Sequence, residues 1–109
     1  MFAGVDPSGL YITIENRSDV DIKDLIYLVD QTVHKVKKIK KGNEAKVYIF
    51  TANFPKEQDL IFYFESNPNK RFVFPNKIQP TNPQRLWIYE NYSITSHENN
   101  IVIEEKNHS

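Results

Sequence analysis

The sequence is divided into apolar runs of four to eight residues, each followed by residues that favour turns. No stretch keeps apolar residues at helical spacing over the length of an ordinary helix. Short runs bounded by Asn, Asp, Pro and Gly are typical of strands in a β-sandwich or barrel. The pattern therefore predicts an all-β protein, an antiparallel β-sandwich of about seven to nine strands.

The length and composition indicate one small domain. A chain of 109 residues has the size of a single domain, and we expect residues 1–109 to form it, with flexible tails at 1–9 and 106–109. Fourteen basic residues balance fourteen acidic ones, which removes the overall positive charge of a typical nucleic-acid-binding domain. The absence of cysteine excludes disulfides and cysteine-ligated zinc.

The sequence also bears on location. The first nine residues lack the basic and apolar regions of a signal peptide, and no apolar run approaches the length of a membrane-spanning helix. We therefore expect a soluble cytoplasmic protein, or an extracytoplasmic one if residues 1–9 replace a native leader. The abundance of lysine over arginine, with many Ile and Asn residues, favours a bacterial source.

Individual strands are read from alternation. Residues 10–15 alternate strictly and predict a first strand that buries Leu10, Ile12 and Ile14. Residues 22–29 fit a strand covered on both faces, although their apolar spacing also matches a helix. Residues 59–65 and 71–74 predict a hairpin with a five-residue loop at 66–70, whose cross-strand partners are Phe62, Phe64, Phe72 and Phe74. Three prolines predict a loop or edge crossing at 75–85.

Residues 33–39 follow a different spacing. Val33, Val36 and Ile39 recur at every third position, which fits neither a regular strand nor a helix. We predict that the backbone bulges or breaks near Lys37 or Lys38, and a bulge whose one extra residue turns both Val36 and Ile39 inward is the preferred form.

Three segments carry a family resemblance: ITIENRSDVDIKDLIYLV at 12–29, IKKGNEAKVYI at 39–49, and the hairpin at 59–74. They resemble small bacterial proteins with an immunoglobulin-like or fibronectin-type β-sandwich, in which an opening strand ends in an Asn-x-Ser turn. The resemblance implies an immunoglobulin-like sandwich and a non-enzymatic role of unknown kind. It assigns no functional residues, and the Cys…Trp…Cys spacing of true immunoglobulin domains is absent.

A run of lysines is the main anomaly of charge. Six lysines and one glutamate give residues 31–50 a net charge of +5, whereas six acids with Arg17 and Lys23 give residues 1–30 a net charge of −4. The run either forms an anion-binding patch, for a phosphate backbone, lipid headgroups or an acidic protein partner, or protects an edge strand from aggregation. The candidate partner-binding residues are Lys35, Lys37, Lys38, Lys40, Lys41 and Tyr48.

No motif indicates catalysis, a cofactor or a metal. Asp19, Asp21 and Asp24 are spaced like the start of a calcium loop, but Asp24 stands where that loop needs glycine. Ser93 and Ser96 lie near His97 without any nucleophile motif. Three glycines are too few for a phosphate-binding loop. We therefore expect no enzyme, and no catalytic, cofactor-binding or metal-binding residues.

The aromatic content, 13% of the chain, exceeds what a plain core needs, and we expect the six tyrosines to lie on partly exposed faces. The sequence thus predicts a non-catalytic domain that binds another protein or a second copy of itself. The alternative is a nucleic-acid or anionic-ligand binder on an OB-like barrel, with Lys35 to Lys46 following phosphates and Tyr48, Phe62 or Tyr63 stacking bases. That alternative requires these residues to share one face.

Overall fold

The computed structural model describes residues 9–51, 54, 56–79 and 87–106, without the side chain of Trp87. These residues form eight strands and no helix: β1 (Gly9–Asn16), β2 (Ile22–Val29), β3 (Thr32–Ile39), β4 (Glu44–Phe50), β5 (Gln58–Phe64), β6 (Asn67–Ile78), β7 (Trp87–His97) and β8 (Asn100–Lys106). The all-β prediction and the strand count are confirmed. The helical alternative for residues 22–29 is wrong, because β2 lies inside a sheet, paired on both sides.

The strands form two four-stranded sheets. Sheet A has the order β4-β1-β7-β8, and sheet B has the order β3-β2-β5-β6. Every pairing is antiparallel except that of β1 with β7, which is parallel. Consecutive strands β1 and β2 lie in different sheets, as do β3 and β4. The chain therefore crosses between the two sheets at both turns.

The core lies between the sheets. The alternation predicted for the first strand is confirmed, because Leu10, Ile12 and Ile14 are buried in it. Sheet B contributes Leu25, Leu60 and Phe62, among others, to the same cluster. Side chains on the opposite face of each strand point away from this cluster, so each sheet also has an outer face.

Two of the six tyrosines contradict the expectation of exposure. Tyr27 and Tyr92 are buried on the inner faces of β2 and β7. Tyr92 keeps its polar end satisfied, since its hydroxyl donates a hydrogen bond of 2.6 Å to Glu90 Oε1. A tyrosine whose hydroxyl has such a partner can fill the core without leaving a buried polar group unsatisfied. The aromatic content of the sequence therefore did not show which tyrosines are buried and which are exposed.

Asn16 ties the two sheets together at the end of β1. Its side-chain nitrogen donates to the carbonyl oxygens of Val20 and Ile39, both at 2.9 Å. Its side-chain oxygen accepts from the backbone nitrogen of Ser18 at 3.0 Å and from the Ser18 hydroxyl at 2.6 Å. The Asn-x-Ser segment is therefore a buried structural turn that fastens the end of β1 to the end of β3.

Val36 and Ile39 both face the core, and Lys37 and Lys38 are exposed, as predicted. The single-strand bulge, however, is wrong. Lys23 pairs with Lys38 and Leu25 with Val36, so neither strand has an extra residue. Both strands change face together at the unpaired Asp24 and Lys37, and Asp24 has a left-handed φ of 53°. The predicted break near Lys37 is therefore confirmed, but both strands share it, and the spacing within β3 did not show its counterpart at Asp24.

The hairpin at 59–74 is confirmed, with Phe62 opposite Phe72 and ring contacts between Phe64 and Phe72 and between Phe62 and Phe74. The five-residue loop is wrong, because only residues 65–66 form the turn and 67–70 belong to β6. Two shifts of register let β6 absorb the additional residues. The same strand continues to Ile78, so the first part of the predicted loop at 75–85 is an edge strand that carries Pro75.

The ends of the described chain lie in strands. Gly9 begins β1 and Lys106 ends β8, so the prediction of flexible tails is wrong for these two residues. Residues 1–8 and 107–109 of the predicted tails, and residues 80–85 of the predicted proline-rich loop, lie outside the described part of the chain. The described residues contain no helix of the length and apolar character needed to cross a membrane.

Candidate interaction surfaces

Aromatic side chains collect at one end of the outer face of sheet A. Tyr11 of β1 lies directly opposite Tyr48 of β4 on one side and Tyr89 of β7 on the other. Phe50 stands two residues beyond Tyr48 and therefore on the same face. We call these four residues, Tyr11, Tyr48, Tyr89 and Phe50, the aromatic surface.

The rings of the aromatic surface touch one another across three strands. Tyr11 meets Tyr48 edge to face at 4.6 Å between ring centroids and stacks on Tyr89 at 5.3 Å. A hydrogen bond between the Tyr48 and Tyr11 side chains is the main cause that raises the pKa of Tyr48. The contacts hold the rings in a fixed row, yet Tyr48 is 53%, Phe50 58% and Tyr89 68% exposed.

Polar residues continue the same face toward the other end of the sheet. Lys46 lies 3.5 Å from Glu44, and Lys106 lies 3.2 Å from Glu15. A depression of about 120 Å³ is lined there by Thr13, Asn91, Tyr92 and three of these ionic side chains, Glu15, Glu44 and Lys106. The aromatic surface is thus bordered by polar groups that are already balanced in charge.

A groove of about 320 Å³ opens beside Tyr48 and Phe50, between the edges of the two sheets. Tyr27, His34 and Phe54 line it as well. His34 stacks on Tyr27 at 4.9 Å between ring centroids, with the rings nearly parallel. Aromatic character therefore extends from the outer face of sheet A into the gap between β3 and β4.

The lysine segment lies on an edge strand, β3, and on the loop that follows it. Lys35 is 3.1 Å from Glu65 and 3.9 Å from Asp24, and Lys38 is 3.8 Å from Asp21. Two of the six acidic residues among residues 1–30, Asp21 and Asp24, therefore lie beside lysines of this segment. The opposite charges of the two segments meet in part in the fold.

The remaining lysines, Lys37, Lys40 and Lys41, are exposed, and no ion pair joins them to an acidic side chain of the described chain. Lys41 contributes its backbone nitrogen, which donates to Asp21 Oδ1 at 2.9 Å. This bond is the main cause that lowers the pKa of Asp21, which nearby lysines lower further. The candidate partner-binding residues are divided between the two sheets, because Tyr48 lies on the outer face of sheet A and Lys35 lies on the outer face of sheet B.

The residues required by the nucleic-acid alternative do not share a face. Phe62 is wholly buried in the core. Tyr63 lies on the outer face of sheet B, where the Arg71 guanidinium covers its ring at 4.8 Å. Tyr48 belongs to the other sheet, so the three rings do not form one stacking surface.

The acidic and histidine residues singled out in the sequence do not converge. Within the described chain, no group of three or more Asp, Glu or His side chains is placed to hold a metal ion. Ser96 donates its hydroxyl to Asp19 Oδ1 at 3.1 Å. His97 is exposed at the end of β7, and no hydrogen bond connects it to these groups.

Tyr48 was identified from the sequence, but Tyr11, Tyr89 and Phe50 were not named as its neighbours. Alternation places each on an outer face. Their contact depends on β1 pairing with both β4 and β7, which no local pattern shows. The contact of the buried Tyr92 with the half-buried Glu90 was also missed, because the sequence gives no sign that Glu90 faces inward.

The sequence and the structure were also compared with known proteins. No protein-family model matches the sequence, and neither a curated protein nor a solved structure is significantly similar to it.

Proposed function

We propose that this protein is a non-catalytic protein-interaction domain that binds its partner through the aromatic surface. The observation that carries the proposal is the row of three tyrosines in mutual contact, two of them more than half exposed. A single exposed ring needs no explanation, but contiguous exposed aromatic side chains mark interaction sites.

The physical properties of the row suit binding. Tyrosine supplies a large contact area and a polar tip, and interfaces are enriched in it. The contacts among Tyr11, Tyr48 and Tyr89 restrict their motion before a partner arrives, which reduces the entropy lost on binding. The groove beside Tyr48 adds a concave site into which an apolar side chain of a partner fits.

The lysine segment is the second candidate surface. Its ion pairs with Glu65, Asp24 and Asp21 weaken the attraction it offers to an acidic partner, and its place on β3 suits protection of an edge. We therefore propose that Lys35, Lys37, Lys38, Lys40 and Lys41 contribute less to binding than Tyr48 does.

We further propose that the resemblance to immunoglobulin-like domains is one of architecture and not of strand order. The two facing four-stranded sheets support a common architecture. In constant-type immunoglobulin domains the first two strands belong to one sheet, whereas β1 and β2 lie in different sheets here.

The test is a peptide selected from a random library against the wild-type protein. Tyr48→Ser combined with Tyr89→Ser should weaken binding of that peptide by at least about tenfold, as loss of central interface residues does. The control is Lys37→Glu combined with Lys38→Glu, which should change the affinity less than the tyrosine pair does. Thermal melts confirm that both variants fold. A peptide that responds to the lysine variant and not to the tyrosine variant would show that the aromatic surface is not the binding site.

A further inference from the structure

A row of aliphatic residues crosses the outer face of sheet B. Val33 of β3 lies opposite Leu28 of β2, Leu28 lies opposite Ile61 of β5, and Ile61 lies opposite Val73 of β6. Val33 is 58% and Val73 48% exposed, and the two central residues are half-buried. We call these four residues the aliphatic stripe.

Charged residues of opposite sign flank the aliphatic stripe. Arg71 stands two residues from Val73 on one side, and its guanidinium lies over the Tyr63 ring. Asp59 stands two residues from Ile61 in β5, which runs antiparallel to β6, and therefore lies on the other side of the stripe. Asp59 accepts a hydrogen bond from the Asn76 backbone nitrogen, but neither Arg71 nor Asp59 has an ion-pair partner in the described chain.

We propose that the aliphatic stripe is the interface of a homodimer, in which two copies pack the outer faces of sheet B against each other. The occupant follows from the symmetry of the flanks. If the two-fold axis runs along the stripe, each stripe residue lies over the same residue of the other copy. The same rotation places the Arg71 side of one copy over the Asp59 side of the other. Arg71 then faces Asp59 of the partner subunit, and the same pair occurs twice.

The other ends of the flanks fit the same arrangement. Lys35 stands two residues from Val33 on the side of Arg71, and the turn that contains Asp30 lies on the opposite side. Lys35 already pairs with Glu65, so its contact with Asp30 of the partner subunit adds little. The Arg71 and Asp59 pair therefore gives the interface its orientation, and burial of the stripe gives it its affinity.

This dimer leaves both A sheets on the outside. Each aromatic surface then points away from the two-fold axis, so one dimer offers two such surfaces on opposite sides. The inference about the stripe does not depend on the proposed function, because it uses no residue of the aromatic surface.

The test is sedimentation equilibrium of the full chain across a wide range of concentration. The wild-type protein should show a monomer–dimer equilibrium. Val33→Asp combined with Val73→Asp should abolish the dimer. Arg71→Asp and Asp59→Arg should each weaken dimerisation by at least about tenfold, because like charges then face each other. The two changes combined should restore most of the affinity, which a simple loss of stability would not do.

Tyr89→Ser is the matched control for an exposed residue on the other sheet, and it should leave the dimer unchanged. A wild-type protein that remains monomeric at every concentration would overturn the proposal. So would a dimer that survives the double aspartate variant, or one that the combined charge exchange fails to restore. None of these outcomes bears on binding of a selected peptide to the aromatic surface.

Discussion

At the scale of single residues, the buried side chain of Asn16 makes four hydrogen bonds that join β1, the following turn and the end of β3. Asn16→Ala leaves the buried carbonyl oxygen of Ile39 without this donor, whereas that of Val20 still accepts from the Ser18 hydroxyl. The variant should lower the free energy of unfolding by about 2 to 4 kcal/mol, since an unsatisfied buried group costs about 1 to 3 kcal/mol and each further hydrogen bond lost costs about 1 kcal/mol.

Urea denaturation measures this loss, and Ser18→Ala serves as the control. That change removes only the hydroxyl side of the network and should cost about 1 kcal/mol. Equal losses in the two variants would mean that the turn, and not the bridge to Ile39, holds the sheets together.

Ile39 and Lys38 are neighbours with opposite environments. Ile39 is buried in the core, and Lys38 is exposed with a long contact of 3.8 Å to Asp21. Ile39→Lys should cost about 2 to 5 kcal/mol, because a buried aliphatic group is lost and an unpaired charge replaces it. Lys38→Glu should cost less than about 1 kcal/mol, as exposed ion pairs contribute little. Thermal melts compare the two, and similar small effects would place Ile39 at the surface.

Glu90 makes stability depend on pH. Burial raises the pKa of its carboxyl above the ordinary value of 4.5, although the hydrogen bond from Tyr92 and the charge of Lys77 lower it in part. The folded state therefore keeps the proton at pH values where the unfolded chain has released it. The stabilisation from this proton is complete below the unfolded pKa and is lost as the pH rises through the folded pKa.

Glu90→Gln removes this dependence, because glutamine does not ionise and still offers an acceptor to Tyr92. The variant should gain stability relative to the wild type as the pH rises from about 4 to about 7. Chemical denaturation at several pH values gives the difference. Curves that stay parallel over this range would show that Glu90 has the same pKa in both states.

At the scale of elements, two tight turns join strands through residues with left-handed backbone conformations. Asp30 and Gln31 connect β2 to β3 with φ values of 50° and 65°, and Glu98 and Asn99 connect β7 to β8 with 49° and 70°. Two successive positive φ angles are typical of the type I′ turn, which favours glycine or asparagine. Of the second residues in the two turns, Gln31 is therefore less suited to its conformation than Asn99.

Gln31→Gly should stabilise the protein by about 0.5 to 1 kcal/mol, because glycine adopts this conformation without steric cost. Asn99→Gly should gain less, since asparagine already tolerates positive φ. Thermal melts of both variants test the turn type. The Gln31 side chain is exposed, so its removal costs no buried contact. A destabilising Gln31→Gly would indicate that the chain does not hold the left-handed conformation there.

The strands were predictable from the sequence where the pattern is local. Alternation identified β1 and the inward positions Leu10, Ile12 and Ile14, and turn residues marked most strand ends. Features that depend on two strands were not predictable. The spacing of Val36 and Ile39 indicated the break near Lys37, but its counterpart at Asp24 and the shifts of register in β6 arise from pairing, and a single strand carries no sign of its partner.

At the scale of the whole molecule, the same distinction separates what was predicted from what was not. The edge position of the lysine-bearing strand was one of two readings, and the structure confirms it for β3. The pairing of Lys35 with Asp24 and Glu65, and of Lys38 with Asp21, depends on which strands are neighbours. The aromatic surface likewise joins residues from positions 11, 48 and 89, whose contact requires the complete order of sheet A.

The two outer faces give the molecule two distinct kinds of surface. Sheet A presents tyrosines at one end and balanced charges at the other, whereas sheet B presents an aliphatic row between opposite charges. Tyrosine rings can contact both apolar and polar groups of a partner, whereas the aliphatic row packs best against another flat aliphatic surface. We therefore propose that the outer face of sheet A binds a partner and that the outer face of sheet B forms the homodimer.

The most direct test of partner binding by the aromatic surface is NMR mapping of the isotope-labelled protein during titration with a library-selected peptide. The account predicts that the largest changes in amide chemical shift occur at Tyr11, Tyr48, Phe50 and Tyr89, and that Tyr48→Ser with Tyr89→Ser removes them. Changes centred on Lys37, Lys38, Lys40 and Lys41 instead, with the aromatic residues unaffected, would contradict it.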